Sequence, residues 1–212
     1  MTRAPSRGTS LVLSGTFDFT ACAKNYPEIK HKYQIEISVP TGFPRDVPKV
    51  KETNGKIPRN GHYHVNHDDT LCLGSPLQLL IKLNTNTSPT LTGFASKCLV
   101  PYLYAVSHKL LYGGKFIFDE LSHGVLGILD DYQKTLGLET SEQTIKAIKL
   151  IGTKKRIANK KLCPCNCGNR LGVCSMHYKL NKIRTIAPRS WFTGHAKKIE
   201  KELNEEMRLK RS

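Results

Sequence analysis

The stretch His31-Lys-Tyr-Gln-Ile-Glu-Ile-Ser-Val39 alternates apolar and polar side chains residue by residue, the period of a strand with one face on a core. Upstream, Ser10-Leu-Val-Leu-Ser-Gly-Thr-Phe-Asp-Phe-Thr-Ala-Cys22 is rich in β-branched and aromatic residues in partial alternation. Ala23-Lys-Asn-Tyr-Pro-Glu-Ile29 between them carries turn chemistry, so the two runs read as an antiparallel meander. Downstream, Pro40-Thr-Gly-Phe-Pro44 and Pro48 stiffen a turn that leads into a third strand over residues 49–53. Residues 54–73 have no helical period and are dominated by Gly, Asn, Asp and His, which marks a long loop on a strand scaffold. Beyond it, Ser88-Pro-Thr opens a helix in which Phe94, Cys98, Leu99, Tyr102, Val106 and Leu110 recur at helical spacing until Gly113-Gly114. Further helices are expected over residues 124–134 and 141–151, and a basic amphipathic one over 194–211. Strands first and helices after give an α+β fold class.

Composition sets the frame. Of 212 residues, 39% are hydrophobic and 24% charged, which fits a globular chain and excludes general disorder. No apolar run reaches the roughly 20 residues of a membrane span, and the first residues lack the apolar stretch of a secretion signal, so a cytoplasmic location without a membrane partner is expected. In that reducing setting the seven cysteines read as thiols, metal ligands or nucleophiles rather than disulfides. Cys22 and Cys98, in apolar surroundings, read as small buried hydrophobes. The net charge of +16 is lopsided: residues 146–212 hold eighteen Lys/Arg against four Glu. Nucleic acid, an acidic protein face or a phosphorylated partner are candidates for this basic tail.

The loop His62-Tyr-His-Val-Asn-His-Asp-Asp-Thr-Leu-Cys72-Leu contains the residues with the most chemistry. Phe43-Pro44-Arg45-Asp46-Val47-Pro48-Lys49-Val50 resembles the Tyr-Pro-x-x-Pro-Pro-x-Val approach to the third strand in ubiquitin-conjugating enzymes. His62-Tyr63-His64 stands where that family has His-Pro-Asn, His64 lies eight residues before Cys72, and Leu71-Cys72-Leu73 resembles the active-site strand. The resemblance covers residues 10–80, with a helical tail compatible with the same UBC-like fold. Tyr63 in place of Pro and His64 in place of Asn make the chain more similar to divergent bacterial relatives of this fold, as do Pro101-Tyr-Leu-Tyr104, Tyr112-Gly113 and Ser122-His-Gly-Val-Leu-Gly-Ile-Leu-Asp-Asp-Tyr132. Some of those relatives are encoded beside cGAS-like nucleotidyltransferases in cyclic-oligonucleotide antiphage (CBASS) systems, and others beside ubiquitin-like proteins.

The resemblance implies a cysteine-thioester transferase. Cys72 would accept the C-terminal carboxyl of a partner, either a cGAS-like nucleotidyltransferase or a ubiquitin-like protein, and pass it to an amine. His64 is the candidate oxyanion donor, with Asn66 as its substitute. His62 is the structural histidine of the loop, and His67, Asp68 or Asp69 are candidate bases. The alternatives are an inactive UBC-like interaction module or a nucleic-acid-binding protein that uses the basic cysteine-rich region, and, for the loop itself, a transition-metal site formed by His62, His64 and His67 with Cys72.

Cys163-Pro-Cys165-Asn-Cys167-Gly-Asn-Arg-Leu-Gly-Val-Cys174-Ser-Met-His177 has the density of a tetrahedral zinc site. Cys163, Cys165 and Cys174 match a SEC-C-type motif, which implies a structural Zn(2+) whose fourth ligand is Cys167 or His177. The expected organisation is a UBC-like domain over 8–152 followed by a basic extension over 153–212 with its zinc motif at 163–177.

Overall fold

A computed structural model describes residues 10–84, 89–117 and 124–209. The chain is mixed α+β and divides into two compact units, Met1–Glu120 and Leu121–Ser212. In the first, β1 (Leu11–Ala21), β2 (Ile29–Val39) and β3 (Lys49–Glu52) form an antiparallel sheet in the order β1-β2-β3. The register runs without a bulge from Leu11 opposite Val39 to Ala21 opposite Ile29. β2 is central and buries Ile29, Tyr33, Ile35 and Ile37, whereas edge strand β1 buries only Phe19. Cys22 departs from expectation. It lies just past the end of β1, on the way into the turn, and is exposed, while Cys98 is buried as expected.

α1 (Pro76–Asn84) is an element that the reading above does not contain. Its signal is the Ser-Pro opener: the Ser75 hydroxyl accepts from the Gln78 amide at 3.2 Å, and Leu77, Leu80 and Leu83 are buried behind it. Ser88 lies outside the described residues. The next helical run opens instead on Thr90, whose hydroxyl caps Gly93, and comprises α2 (Leu91–Phe94), a π-helical turn (Ala95–Leu99) and α3 (Val100–Tyr112). Pro101 explains the wide turn. It has no N–H to give the Lys97 carbonyl, so the ladder passes through an i to i+5 bond from Val100 to Ala95. Phe94, Cys98, Leu99, Leu103 and Val106 then join the strand side chains in one core.

The second unit contains α4 (Gly124–Leu136), α5 (Ser141–Gly152), α6 (Lys155–Ala158), α7 (Met176–Arg184) and α8 (Arg189–Leu209). α5 opens on a full capping box between Thr140 and Gln143. The expected boundary at 152/153 does not coincide with the contact boundary at 120/121. The apolar faces of α4 and α5 find their partners within this unit: Leu129, Tyr132, Ile148 and Ile151 share its interior with Leu180, Phe192 and Ile199. α5 approaches α8 so closely that a Cβ on Gly152 would lie 2.7 Å from the Thr193 hydroxyl. Two cations of α7 seal helix ends: Lys179 donates to the Leu136 carbonyl at 2.7 Å and Arg184 to the Leu150 carbonyl at 2.6 Å. Among the described residues, no helix is long and apolar enough to cross a membrane.

One buried histidine makes this unit acid-sensitive. His195 lies 4.6 Å from the Trp191 ring and 5.8 Å from the Tyr132 ring, and its Nε2 has no hydrogen-bond partner among the described residues. Burial first, and then the charge of Lys198, push its pKa down to about 4. An unfolded histidine titrates near 6.5, so between pH 6.5 and 4 the unfolded chain binds a proton that the folded chain does not. Stability therefore falls as the pH drops through that window, by up to about 3 kcal/mol. Trp191 is the sole tryptophan, so its fluorescence reads this site directly. His195→Phe should flatten the acid limb of the stability curve, and an unchanged limb would contradict the assignment.

Candidate functional site

The loop after β3 is short of regular structure but not of hydrogen bonds. A 3-10 turn, Gly61–Tyr63, ends on His64 in the left-handed region at φ 53°. The chain then doubles back on itself: Val65 bridges Leu71, Asn66 N–H donates to Thr70 O at 2.8 Å, and Leu71 N–H reaches Val50 O of β3 at 2.8 Å. At the close of this hairpin the Cys72 amide donates to the His64 carbonyl at 2.7 Å.

Three consecutive carbonyls of the loop are held in this way. Lys109 Nζ donates to His62 O at 2.8 Å, the Tyr102 hydroxyl donates to Tyr63 O at 2.8 Å, and Cys72 N–H donates to His64 O. The Lys109 ammonium also lies 5.2 Å from the Tyr63 ring centre and 5.3 Å from that of Phe116, within cation–π range. Phe116 in turn meets the His64 ring edge to face at 4.6 Å. Two side chains of α3 and one aromatic beyond it thus fix the loop that ends at the cysteine.

Cys72 is partly exposed, and burial of its surroundings pushes the thiol pKa up, with a hydrogen bond from the Gly74 amide opposing. At neutral pH it is therefore a thiol that needs deprotonation before it attacks. Asn66 engages its side-chain N–H with the Thr70 hydroxyl at 3.0 Å. Asp68 accepts from the Thr70 hydroxyl at 2.5 Å, from the Thr70 amide at 3.2 Å and from Lys49 at 3.2 Å. The hydroxyl bond leads in holding its carboxyl at about 2, which makes Asp68 a weak base. Asp69 pairs with Arg59 at 3.3 Å, and His62 and His67 are exposed.

Sequence spacing alone does not reveal Tyr102 and Lys109. They are 39 and 47 residues from their acceptors, and Tyr102 reads as one more apolar position of a helix. The available signal is the hydroxyl itself, which a buried tyrosine must satisfy. Tyr102→Phe should leave Tyr63 O without its donor at a cost of about 1 to 2 kcal/mol. Faster amide exchange over 61–65 and faster alkylation of Cys72 are expected. Unchanged exchange in this segment would contradict the bracing role.

The second cluster is in the other unit. Cys163, Cys165, Cys167 and Cys174 bring their sulfurs within 4.8 Å of one another, so these four side chains could hold a metal ion. Cys163 and Cys165 sulfurs are 3.1 Å apart, and those of Cys165 and Cys174 are 3.7 Å apart. A tetrahedron with Zn–S bonds of about 2.3 Å has sulfur edges of about 3.8 Å, inside this spread. Burial pushes the Cys163 thiol well above its ordinary range, whereas Cys167, exposed and bonded by the Asn169 amide, comes down to about 7. His177 is not one of this group. Its Nδ1 lies 2.7 Å from the Cys174 carbonyl and its ring lies against Tyr178, so Cys167 completes the four. Among the described residues this is the single metal-competent group, and His62, His64, His67 and Cys72 do not form one.

A scan of protein-family models finds no match, and neither does a search of curated proteins or of solved structures.

Proposed function

We propose that the chain is a ubiquitin-conjugating-enzyme-like acyl transferase with Cys72 as its thioester-forming residue. The observation that carries this reading is the bond between the Cys72 amide and the His64 carbonyl, which couples the thiol to a histidine loop braced from α3. In the first step the Cys72 thiol loses its proton and attacks the activated C-terminal carboxyl of a partner protein. The activating group leaves and a thioester forms. In the second, a lysine amine attacks the thioester, loses its proton and expels the Cys72 thiolate, leaving an amide. Both tetrahedral intermediates bear negative charge on oxygen, and a preorganised donor there is worth about 2.7–4 kcal/mol. His64 fills that role, and Asn66 is the reserve. In this reading a separate activating enzyme, or a partner already activated, supplies the acyl group.

Bacterial antiphage defence is the proposed setting, with a cGAS-like nucleotidyltransferase or a ubiquitin-like protein as acyl donor. Support for this comes from the loop and strand motifs quoted above. For the second unit, zinc is the proposed ion of the four-cysteine cluster, in a structural role, because four thiolates at tetrahedral spacing suit it. Coexpression of the chain with a cGAS-like nucleotidyltransferase or with a ubiquitin-like protein, each together with an activating enzyme, tests the main reading. The intact mass of the denatured, unreduced protein should show a covalent adduct that a thiol reagent releases, and recovery of the unmodified mass alone would contradict it.

A further inference from the structure

We propose that the cysteine knuckle and its flanks form a binding surface for single-stranded nucleic acid, with lysine and arginine side chains on the phosphates and Tyr178 stacked on a base. Residues 143–199 contain fourteen Lys/Arg and not one Asp or Glu. A merely solvated surface mixes both signs, and a run this long without a carboxylate has a one-sided field. Lys154, Lys155, Arg156, Lys160, Lys161 and Arg170 are exposed, and no carboxylate of the described residues pairs with any of them. The cations Lys179 and Arg184, by contrast, already serve the ends of α4 and α5.

The knuckle brings part of this charge together. Leu162 bridges Arg170 antiparallel, and Leu171 N–H donates to Lys161 O at 2.8 Å, so Lys161 and Arg170 flank one short ribbon. The same segment exposes apolar groups that a metal-stapled fold has no need to show: Leu162 is 60% exposed, Val173 77% and Tyr178 71%. The Tyr178 ring lies 3.8 Å from the His177 ring, tilted 37° to it, so it has an aromatic neighbour while most of its surface faces solvent.

Exposed cations and an exposed ring within one short segment match a strand whose phosphates are accessible and whose bases are unstacked. A duplex offers the phosphates but keeps its base faces to itself, and a phosphorylated peptide offers no succession of planar rings. The proposal does not depend on the chemistry at Cys72.

Fluorescence anisotropy of the full-length chain tests it, with a labelled mixed-sequence oligonucleotide as single-stranded RNA, as single-stranded DNA and as the DNA duplex. Single strands should bind more tightly than the duplex, and a preference for either sugar supports the proposal. Lys160→Ala/Lys161→Ala/Arg170→Ala should reduce the slope of log affinity against log salt by about 2, at about 0.7 per phosphate contact. Tyr178→Ala should weaken binding about 5- to 150-fold with the slope unchanged, and Tyr178→Phe should bind like the wild type. Circular dichroism and metal content serve as fold controls on these exposed positions. No binding, equal binding of duplex and single strand with Tyr178→Ala unaffected, or binding only to phosphatidylserine vesicles would each overturn the proposal.

Discussion

Replacing Cys163 and Cys165 together with Ser should remove the metal from the second unit and unfold residues 159–178. This segment has little else to hold it. Its buried apolar side chains are few, Leu171 and Met176 chief among them, and its backbone ties across the segment are the Leu162–Arg170 bridge with the bonds Cys163 N–H to Asn169 O at 2.9 Å, Leu171 N–H to Lys161 O at 2.8 Å and Gly172 N–H to Asn159 O at 3.0 Å. Apparent binding energies of structural zinc are about 10 to 16 kcal/mol in zinc-finger peptides, far above what two buried side chains supply. Without the ion, the buried Cys163 thiol stays protonated because burial lifts its pKa; the ion must displace that proton, so affinity falls as the pH is lowered. Elemental analysis should give about one zinc per wild-type chain and none in the double variant, with proteolysis opening the 159–178 segment. Equal zinc in both proteins would contradict the four-cysteine assignment.

What the sequence made legible follows from how local each feature is. β2 is central and half-buried, so its alternation survives intact, whereas edge strand β1 keeps only partial alternation: Leu13, Phe17, Phe19 and Ala21 of one face pack on the core, but Gly15 interrupts that face and Val12 stands exposed on the other. The long helix was readable by period. Its π turn was not, although Pro101 inside an apolar period is the residue that requires one. Pro76-Leu-Gln-Leu-Leu-Ile-Lys-Leu83 escaped because its apolar run is nearly continuous and a period is hard to see in it, which is the pattern of a helix buried on most of its surface. At the metal cluster, spacing identified the ligand types and left Cys167 and His177 open. The choice depended on the turn between Cys163 and Asn169, where Asn166 takes φ 59° and Gly168 φ 77° and the chain brings Cys167 back toward the other sulfurs. The bracing of the histidine loop was out of reach for a related reason: Tyr102 and Lys109 act across 39 and 47 residues, a separation that no local pattern encodes.

Substitution of Cys72 itself should have the largest effect, because it removes the attacking atom instead of tuning it. The wild-type chain, coexpressed with its acyl donor, is expected to form an adduct that thiols release, since a thioester exchanges with free thiol. Cys72→Ser keeps an acceptor oxygen of lower nucleophilicity, so it should give either an oxygen ester that resists thiols or no adduct. Cys72→Ala has no acceptor atom and should give nothing. Cys98, buried in the core, and Cys22, exposed beyond β1, provide internal controls, because their removal should leave the adduct in place. Intact-mass measurement of the three Cys72 forms under denaturing, unreduced conditions tests the account most directly. A thiol-labile adduct in the wild type that is absent from Cys72→Ala is the predicted result, and the same adduct on Cys72→Ala would contradict it.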